Sequence, residues 1–241
     1  MSRVTAAILV IGDEVLSGRT QDANTQVLAR ALGAAGIDLR ESRAIPDDAA
    51  LIGAAVNELR ARVDYLFTSG GIGPTHDDIT AEAAGAAFGV ATAIRDDARA
   101  ILEEHYGERL NEARLRMARI PDGAGLIANP VSAAPGFRIE NVFVMAGVPR
   151  IFAAMLDRVL PVLEGGAEIA EVSLVAGVPE GELSGPLGEV DAAHPAVSIG
   201  SYPRIAPEGG FSVTVVARSA DREALAAAEA DLRAMLERLR G

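Results

Sequence analysis

Thr5–Ile11 (TAAILVI) is an unbroken apolar run of strand length with a polar turn directly behind it, which predicts a strand buried on both faces of a parallel sheet. From Asp22 to Leu32 the apolar positions Val27, Leu28, Ala31 and Leu32 recur at helical spacing, and Gly33 and Gly36 close the segment. The alternation then repeats. Ile37–Ile45 reads as a more exposed strand, Asp47–Arg62 as a helix capped by Asp47 or Asp48, and Asp64–Ser69 as a second buried strand. After a glycine-rich turn, Asp77–Phe88 is predicted as a helix ending at Gly89, and Asp96–Met117 as one or two longer helices. Phe137–Ala146 is strand material broken near Glu140 and Asn141, and Pro149–Leu163 is a helix with proline in its first turn.

Strands alternating with helices of this size predict an α/β class fold, a doubly wound, mostly parallel sheet over residues 1–166. Glu164-Gly165-Gly166 reads as a linker, and residues 167–241 change character. There Val172–Val178, Ala196–Ser201 and Phe211–Arg218 are predicted strands, with helices over Glu180–Ala192 and Asp221–Arg240, the order of a small α+β domain.

Composition narrows the chemistry. None of the 241 residues is cysteine, so disulfides, thiolate zinc sites and a cysteine nucleophile are excluded. Every basic residue is arginine, which excludes a Schiff-base or P-loop lysine and leaves guanidinium as the permanent cation for phosphate recognition. A formal charge of −12 argues against nucleic acid or an anionic membrane as partner, because both attract a basic field. The Met1–Arg3 start runs into an apolar stretch too short for a signal peptide, and no run approaches the roughly 20 apolar residues of a spanning helix. A cytoplasmic protein is expected.

In a doubly wound sheet, ligands sit beyond the carboxyl ends of the strands. The polar and glycine clusters of this chain all fall there. Ser69-Gly70-Gly71-Ile72-Gly73-Pro74-Thr75-His76-Asp77-Asp78 joins a buried strand to a helix. Its glycines let a ligand approach the main chain, and N–H groups at the following helix start would hold a phosphate. Carboxylates beside a diphosphate call for a cation between them, so Asp77 and Asp78 are candidate ligands of Mg²⁺, Mn²⁺ or a similar ion. Gly12-Asp13-Glu14-Val15-Leu16-Ser17-Gly18 brings Glu14 to the same edge, with Asp22 and Asn24 as helix caps or crevice residues. Asn129–Phe137, including Ser132, is a loop of small residues that could lie along a flat ligand, and Gly147-Val148-Pro149 would present a helix start. Arg114, Arg116 and Arg119 form a positive stretch; a solvated helix face is their default reading, although one of them could reach a phosphate.

These motifs resemble a known family. Gly12-x-Glu14-x-Leu16-x-Gly18, Asp22-x-Asn24, Gly70-Gly71-x-Gly73-Pro74-Thr75-His76-Asp77-Asp78 and Gly147-Val148-Pro149 are similar to the MoaB/Mog-type molybdopterin-binding domain. They are closer to its variant in competence/damage-inducible protein A (CinA) and at the front of eukaryotic FAD synthases. The resemblance spans about Val4–Leu163, and Ser198–Pro203 looks like part of the small KH-like appendage of that branch. It implies metal-dependent hydrolysis of the diphosphate in ADP-ribose or FAD or, in the Mog branch, binding and adenylylation of molybdopterin. Under that resemblance Asp78, Asp77 and Glu14 are the catalytic candidates, with Asp77 and Asp78 on the metal. Gly70, Gly71, Gly73, Thr75, Asn24, Ser132 and Gly147 are the phosphate- or ligand-binding candidates. A nucleotide or pterin ligand and a homo-oligomer are implied as partners. Longer CinA proteins carry a further amidohydrolase domain for nicotinamide mononucleotide, and this chain ends before one could begin. A non-catalytic scaffold is the alternative of another class. RNA binding through the appendage is not expected, since Gly181-Glu182-Leu183-Ser184-Gly185 lacks the Gly-x-x-Gly spacing and has acidic surroundings.

Overall fold

The computed structural model describes residues 4–205 and 211–241; Met1–Arg3 lies outside the described residues. The chain divides into two compact units, Met1–Gly166 and Ala167–Gly241.

In the first unit six strands form one sheet. Strand β1 (Val4–Ile11) leads through a one-turn helix α1 (Asp13–Leu16) and helix α2 (Asn24–Ala34) to β2 (Ile37–Ile45). Helix α3 (Ala49–Arg60), β3 (Tyr65–Ser69) and α4 (Thr80–Phe88) follow. A short strand β4 (Thr92–Ile94) precedes α5 (Asp96–Tyr106) and α6 (Glu112–Leu115). Then come β5 (Arg119–Pro121), β6 (Gly125–Ile127), β7 (Gly136–Ile139), β8 (Val142–Met145) and α7 (Pro149–Val159). The sheet order is β2-β1-β3-β8-β7-β6, while β4 and β5 pair separately. β2, β1, β3 and β8 run parallel, and β7 is antiparallel to both neighbours. The fold is thus a mixed, mostly parallel sheet flanked by helices.

Strand alternation divides the core. Ala7, Leu9 and Ile11 of β1 join Leu66, Val142 and Val144 under α3, α4 and α5. Ala6, Ile8 and Val10 join Phe67, Phe143 and Met145 under α2 and α7. Successive side chains point to opposite faces, so a strand apolar at every position fills both layers. β2, at the sheet edge, is only partly covered, in keeping with its polar residues.

Several boundaries depart from those read in the sequence. The helix expected over Asp77–Phe88 begins at Thr80, because the Asp78 carboxylate accepts the Thr75 N–H at 2.8 Å and closes a separate turn ahead of it. Asp48, not Asp47, caps α3, accepting the Leu51 N–H at 2.9 Å. Asp96–Met117 is broken after Tyr106, with Gly107 at positive φ. The break in Phe137–Ala146 is the turn of the β7–β8 hairpin, where Glu140 takes a left-handed φ of 49°. Segments of three or four residues, such as α1, β4, β5 and β6, are too short for periodicity to reveal.

The second unit is an antiparallel sheet of order β10-β11-β9, from β9 (Ala170–Val175), β10 (Ser198–Ile205) and β11 (Phe211–Ser219), with helices α8 (Glu180–Ala193) and α9 (Arg222–Arg240). Leu225, Ala228, Leu232, Met235 and Leu236 of α9 lie at helical spacing and bury against Val213, Val215 and Ala217. The strand expected over Val172–Val178 starts two residues earlier and ends at Val175. Among the described residues no helix is long and apolar enough to cross a membrane.

Candidate functional site

The carboxyl ends of β1, β3 and β8 lie side by side, and the loops leaving them surround a cavity of about 610 Å³. The close approach of these loops is built from glycines. Gly70 has a φ of 110°, and a Cβ there would stand 2.2 Å from the Ile11 carbonyl oxygen. Gly71, with φ 68°, would place a Cβ 2.0 Å from Thr80 Oγ1. Only glycine accommodates both the positive φ and the contact.

Hydrogen bonding sorts the glycine loop into a structural and an open part. Gly70 donates its N–H to the Met145 carbonyl at 3.1 Å, so this amide is committed to the sheet and not to a phosphate. Thr80 N–H donates to Gly71 O at 2.9 Å and ties α4 to the loop. The N–H groups of Gly71, Ile72 and Gly73 have no acceptor among the described residues, and all three residues line the cavity. The helix start that faces the ligand space belongs to α7, through Gly147, Val148 and Pro149, rather than to α4.

Of the residues singled out in the sequence, Glu14, Gly70, Gly71, Gly73, Thr75, Asp77, Asp78, Arg114, Ser132 and Gly147 line this cavity, while Arg116 and Arg119 do not. Asn24 does not. It is buried at 4% exposure and serves as a bolt: its amide nitrogen donates to Ser69 Oγ and to the Gly147 carbonyl, both at 2.7 Å, joining the ends of β3 and β8. Asp22 caps the start of α2, accepting the Asn24 N–H at 2.9 Å. His76 is 94% exposed and does not line the cavity.

Asp47 is a cavity residue that sequence reading treated as a helix cap. Its carboxylate accepts the Asp13 N–H at 3.0 Å. Burial pushes the Asp47 carboxyl above its ordinary value; the Asp13 N–H opposes this, and the negative charges of Asp13, Glu14 and Asp77 reinforce it. Asp77 is shifted the other way, held below the ordinary carboxylate value by the Thr75 hydroxyl, its own main-chain N–H, and the nearby His76 and Arg116. The same hydroxyl donates to Asp78 Oδ2. A hydroxyl has one proton, so Thr75 serves one acid at a time. Tyr106 and Asn129 are among the further lining residues and carry no glycine or acid motif to mark them.

Among the described residues no three His, Asp or Glu side chains converge as a ready-made metal centre. The donor set nevertheless suits a hard divalent cation. Four carboxylates, Glu14, Asp47, Asp77 and Asp78, share one cavity with a single cationic side chain among the described residues, and burial, reinforced by the charges of Asp13, Glu14 and Asp77, raises Asp47. Mg²⁺ and similar ions are commonly held by one or two carboxylates and completed by ligand phosphates.

Comparison with known proteins agrees with this architecture. The profile of the family described as "Probable molybdopterin binding domain" matches residues 7–165, and that described as "FAD synthase, middle domain" matches residues 169–239. A CinA-like protein of Desulfosudis oleivorans is 36% identical over 209 residues, covering 81% of this chain and 51% of its own length. The chain thus spans about half the length of that relative. A protein of Archaeoglobus fulgidus is 34% identical over 197 residues, covering 82% of this chain and 85% of that protein. The crystal structure of the protein CinA with unknown function from Thermoplasma acidophilum superposes with a TM-score of 0.60 at 34% identity, over 64% of this chain and 94% of that one. With residues 7–165 carrying this domain and relatives of CinA type on both counts, the chain belongs to the MoaB/Mog-type molybdopterin-binding domain family, in its CinA-like branch.

Proposed function

We propose that the protein is a metal-dependent hydrolase of the diphosphate bond in nucleotides of the ADP-ribose or FAD type. The observation that carries this reading is the single cavity in which the unpartnered N–H groups of Gly71, Ile72 and Gly73 meet the carboxylates of Glu14, Asp47, Asp77 and Asp78. Main-chain donors fixed in a rigid loop bind non-bridging phosphate oxygens without reorganisation. Thr75 N–H holds one oxygen of Asp78, leaving the other free to act. A divalent cation held between the carboxylates and the diphosphate would polarise the phosphorus–oxygen bond and lower the pKa of an attacking water. The match of residues 169–239 to the FAD synthase middle domain supports a flavin nucleotide as one substrate.

The test is incubation of the intact protein with ADP-ribose or FAD and a panel of divalent metals. AMP release that is lost in Asp78→Asn is expected; no release above that control rejects hydrolysis. The match to a probable molybdopterin binding domain supports a second reading, binding of a pterin phosphate with adenylyl transfer. Calorimetry separates the two, since the second requires tight binding of a molybdopterin precursor alongside nucleotide turnover.

A further inference from the structure

Among the described residues, Arg114 is the one cationic side chain lining the large cavity, in company with four carboxylates. It is half-buried, and no carboxylate among the described residues pairs with it, although the chain carries 34 acidic residues against 22 basic ones. Seven arginines of the first unit do otherwise: Arg40, Arg43, Arg60, Arg62, Arg95, Arg99 and Arg119 bind acids. A half-buried guanidinium left without a counter-charge in an acidic protein is electrostatically incomplete, and it suits an anion brought from outside.

Its position is also fixed in advance. Nη1 donates to the Arg109 carbonyl, and the guanidinium carbon lies 4.7 Å from the centre of the Tyr106 ring, which it covers. The Tyr106 hydroxyl reaches the Ser132 carbonyl at 3.5 Å. Asn129 in turn ties the loop holding Ser132, donating to Ser132 Oγ at 2.7 Å and to the Ala134 carbonyl at 2.8 Å. Asn129, Ser132, Tyr106 and Arg114 therefore form a braced series along one wall. With Nη1 engaged and one face stacked, the remaining N–H donors of the planar fork stay available.

We propose that Arg114 is the specificity-determining residue for a diphosphate group, receiving its non-bridging oxygens while the Gly71–Gly73 amides hold the same anion. The inference rests on the reading of the cavity as a nucleotide diphosphate site and does not require that the bond be cleaved. Calorimetry in the presence of Mg²⁺, with inorganic pyrophosphate, ADP-ribose and adenosine as titrants, tests it on the intact protein. Arg114→Ala is expected to weaken pyrophosphate and ADP-ribose by about 10- to 100-fold, the range of a charge-assisted hydrogen-bonded pair, and to leave adenosine within about 2-fold. Arg114→Lys, which keeps the charge without the fork, is expected to fall between. Tyr106→Leu, which removes the platform, is expected to weaken the same two ligands less than Arg114→Ala. Unchanged pyrophosphate and ADP-ribose affinity in Arg114→Ala overturns the assignment, as does failure of the wild-type protein to bind either. Binding that depends on Arg114 without any AMP release sinks hydrolysis and leaves the assignment standing.

Discussion

Two clusters of charged side chains on the first unit behave in opposite ways. On the flank formed by β2 and α3, Arg43 and Arg62 both bind Glu41 and Glu58, so two charges of each sign close on one another. At the cavity, Glu14, Asp47, Asp77 and Asp78 have Arg114 as the one cation among the described residues sharing their walls. Ionisation differs at one acid of each cluster, although Asp77 in the cavity is itself held low by the Thr75 hydroxyl. The hydrogen bond from Arg43 draws Glu58 down to about 2, whereas burial and acidic neighbours push Asp47 up. A cluster that neutralises itself is complete as folded and contributes modestly to stability. One that leaves like charges together is held there by the surrounding structure, and a cation and an anion supplied from solution can relieve it.

Substitutions in the two clusters should therefore separate activity from stability. The largest expected effect is in the cavity: Asp77→Asn should lower AMP release by roughly 100-fold while leaving the melting temperature near wild type, because its carboxylate is 60% exposed. An equal loss of both would mean that Asp77 supports the loop rather than a ligand. Asp47→Asn should cut activity about 10-fold and raise stability at neutral pH, since the amide oxygen can still accept the Asp13 N–H but carries no charge among acids. A lower melting temperature at neutral pH would contradict the repulsion. On the flank, Arg43→Ala should cost about 1 kcal/mol or less in denaturant melts and leave turnover unchanged. Any effect on turnover would show that the clusters are coupled.

The pH dependence gives the smallest and most discriminating comparison. Glu58 is depressed in the folded protein, so its contribution is present above the ordinary 4.5 and is lost as pH falls towards about 2; Glu58→Gln should flatten that part of the acid melting profile. Asp47 is raised, so its contribution is present below the ordinary 3.8 and is lost as pH rises through the raised value; Asp47→Asn should flatten the profile there instead. A profile unaltered by either substitution would remove the electrostatic distinction between the clusters.

Some of this site is legible without coordinates, for identifiable reasons. β1 and β3 are short apolar runs followed at once by glycines and acids, and that arrangement places Glu14, Gly71, Gly73, Asp77 and Asp78 at strand ends, where an α/β sheet keeps its crevice. Tyr106 is different, an aromatic residue at the end of a helix, where it is ordinary, and Arg114 stands out only as one of three arginines whose default reading is a solvated helix face. Asn24, which the motif resemblance places among ligand-binding positions, also bolts strand ends together through its amide nitrogen, while its buried amide oxygen has no partner among the described residues.

The amino-acid order alone determined the alternation of strands and helices, the two-sided burial of the central strands and the presence of a glycine-acid loop, because each depends on side-chain period and local backbone freedom. Tertiary structure decided which amides of that loop stay open, that Asp47 turns from capping α3 to joining the acids, and that Tyr106 and Arg114 enter the same cavity. Those outcomes depend on strand order and on how distant loops pack, so groups tens of residues apart come to line one cavity, and no local pattern encodes the meeting.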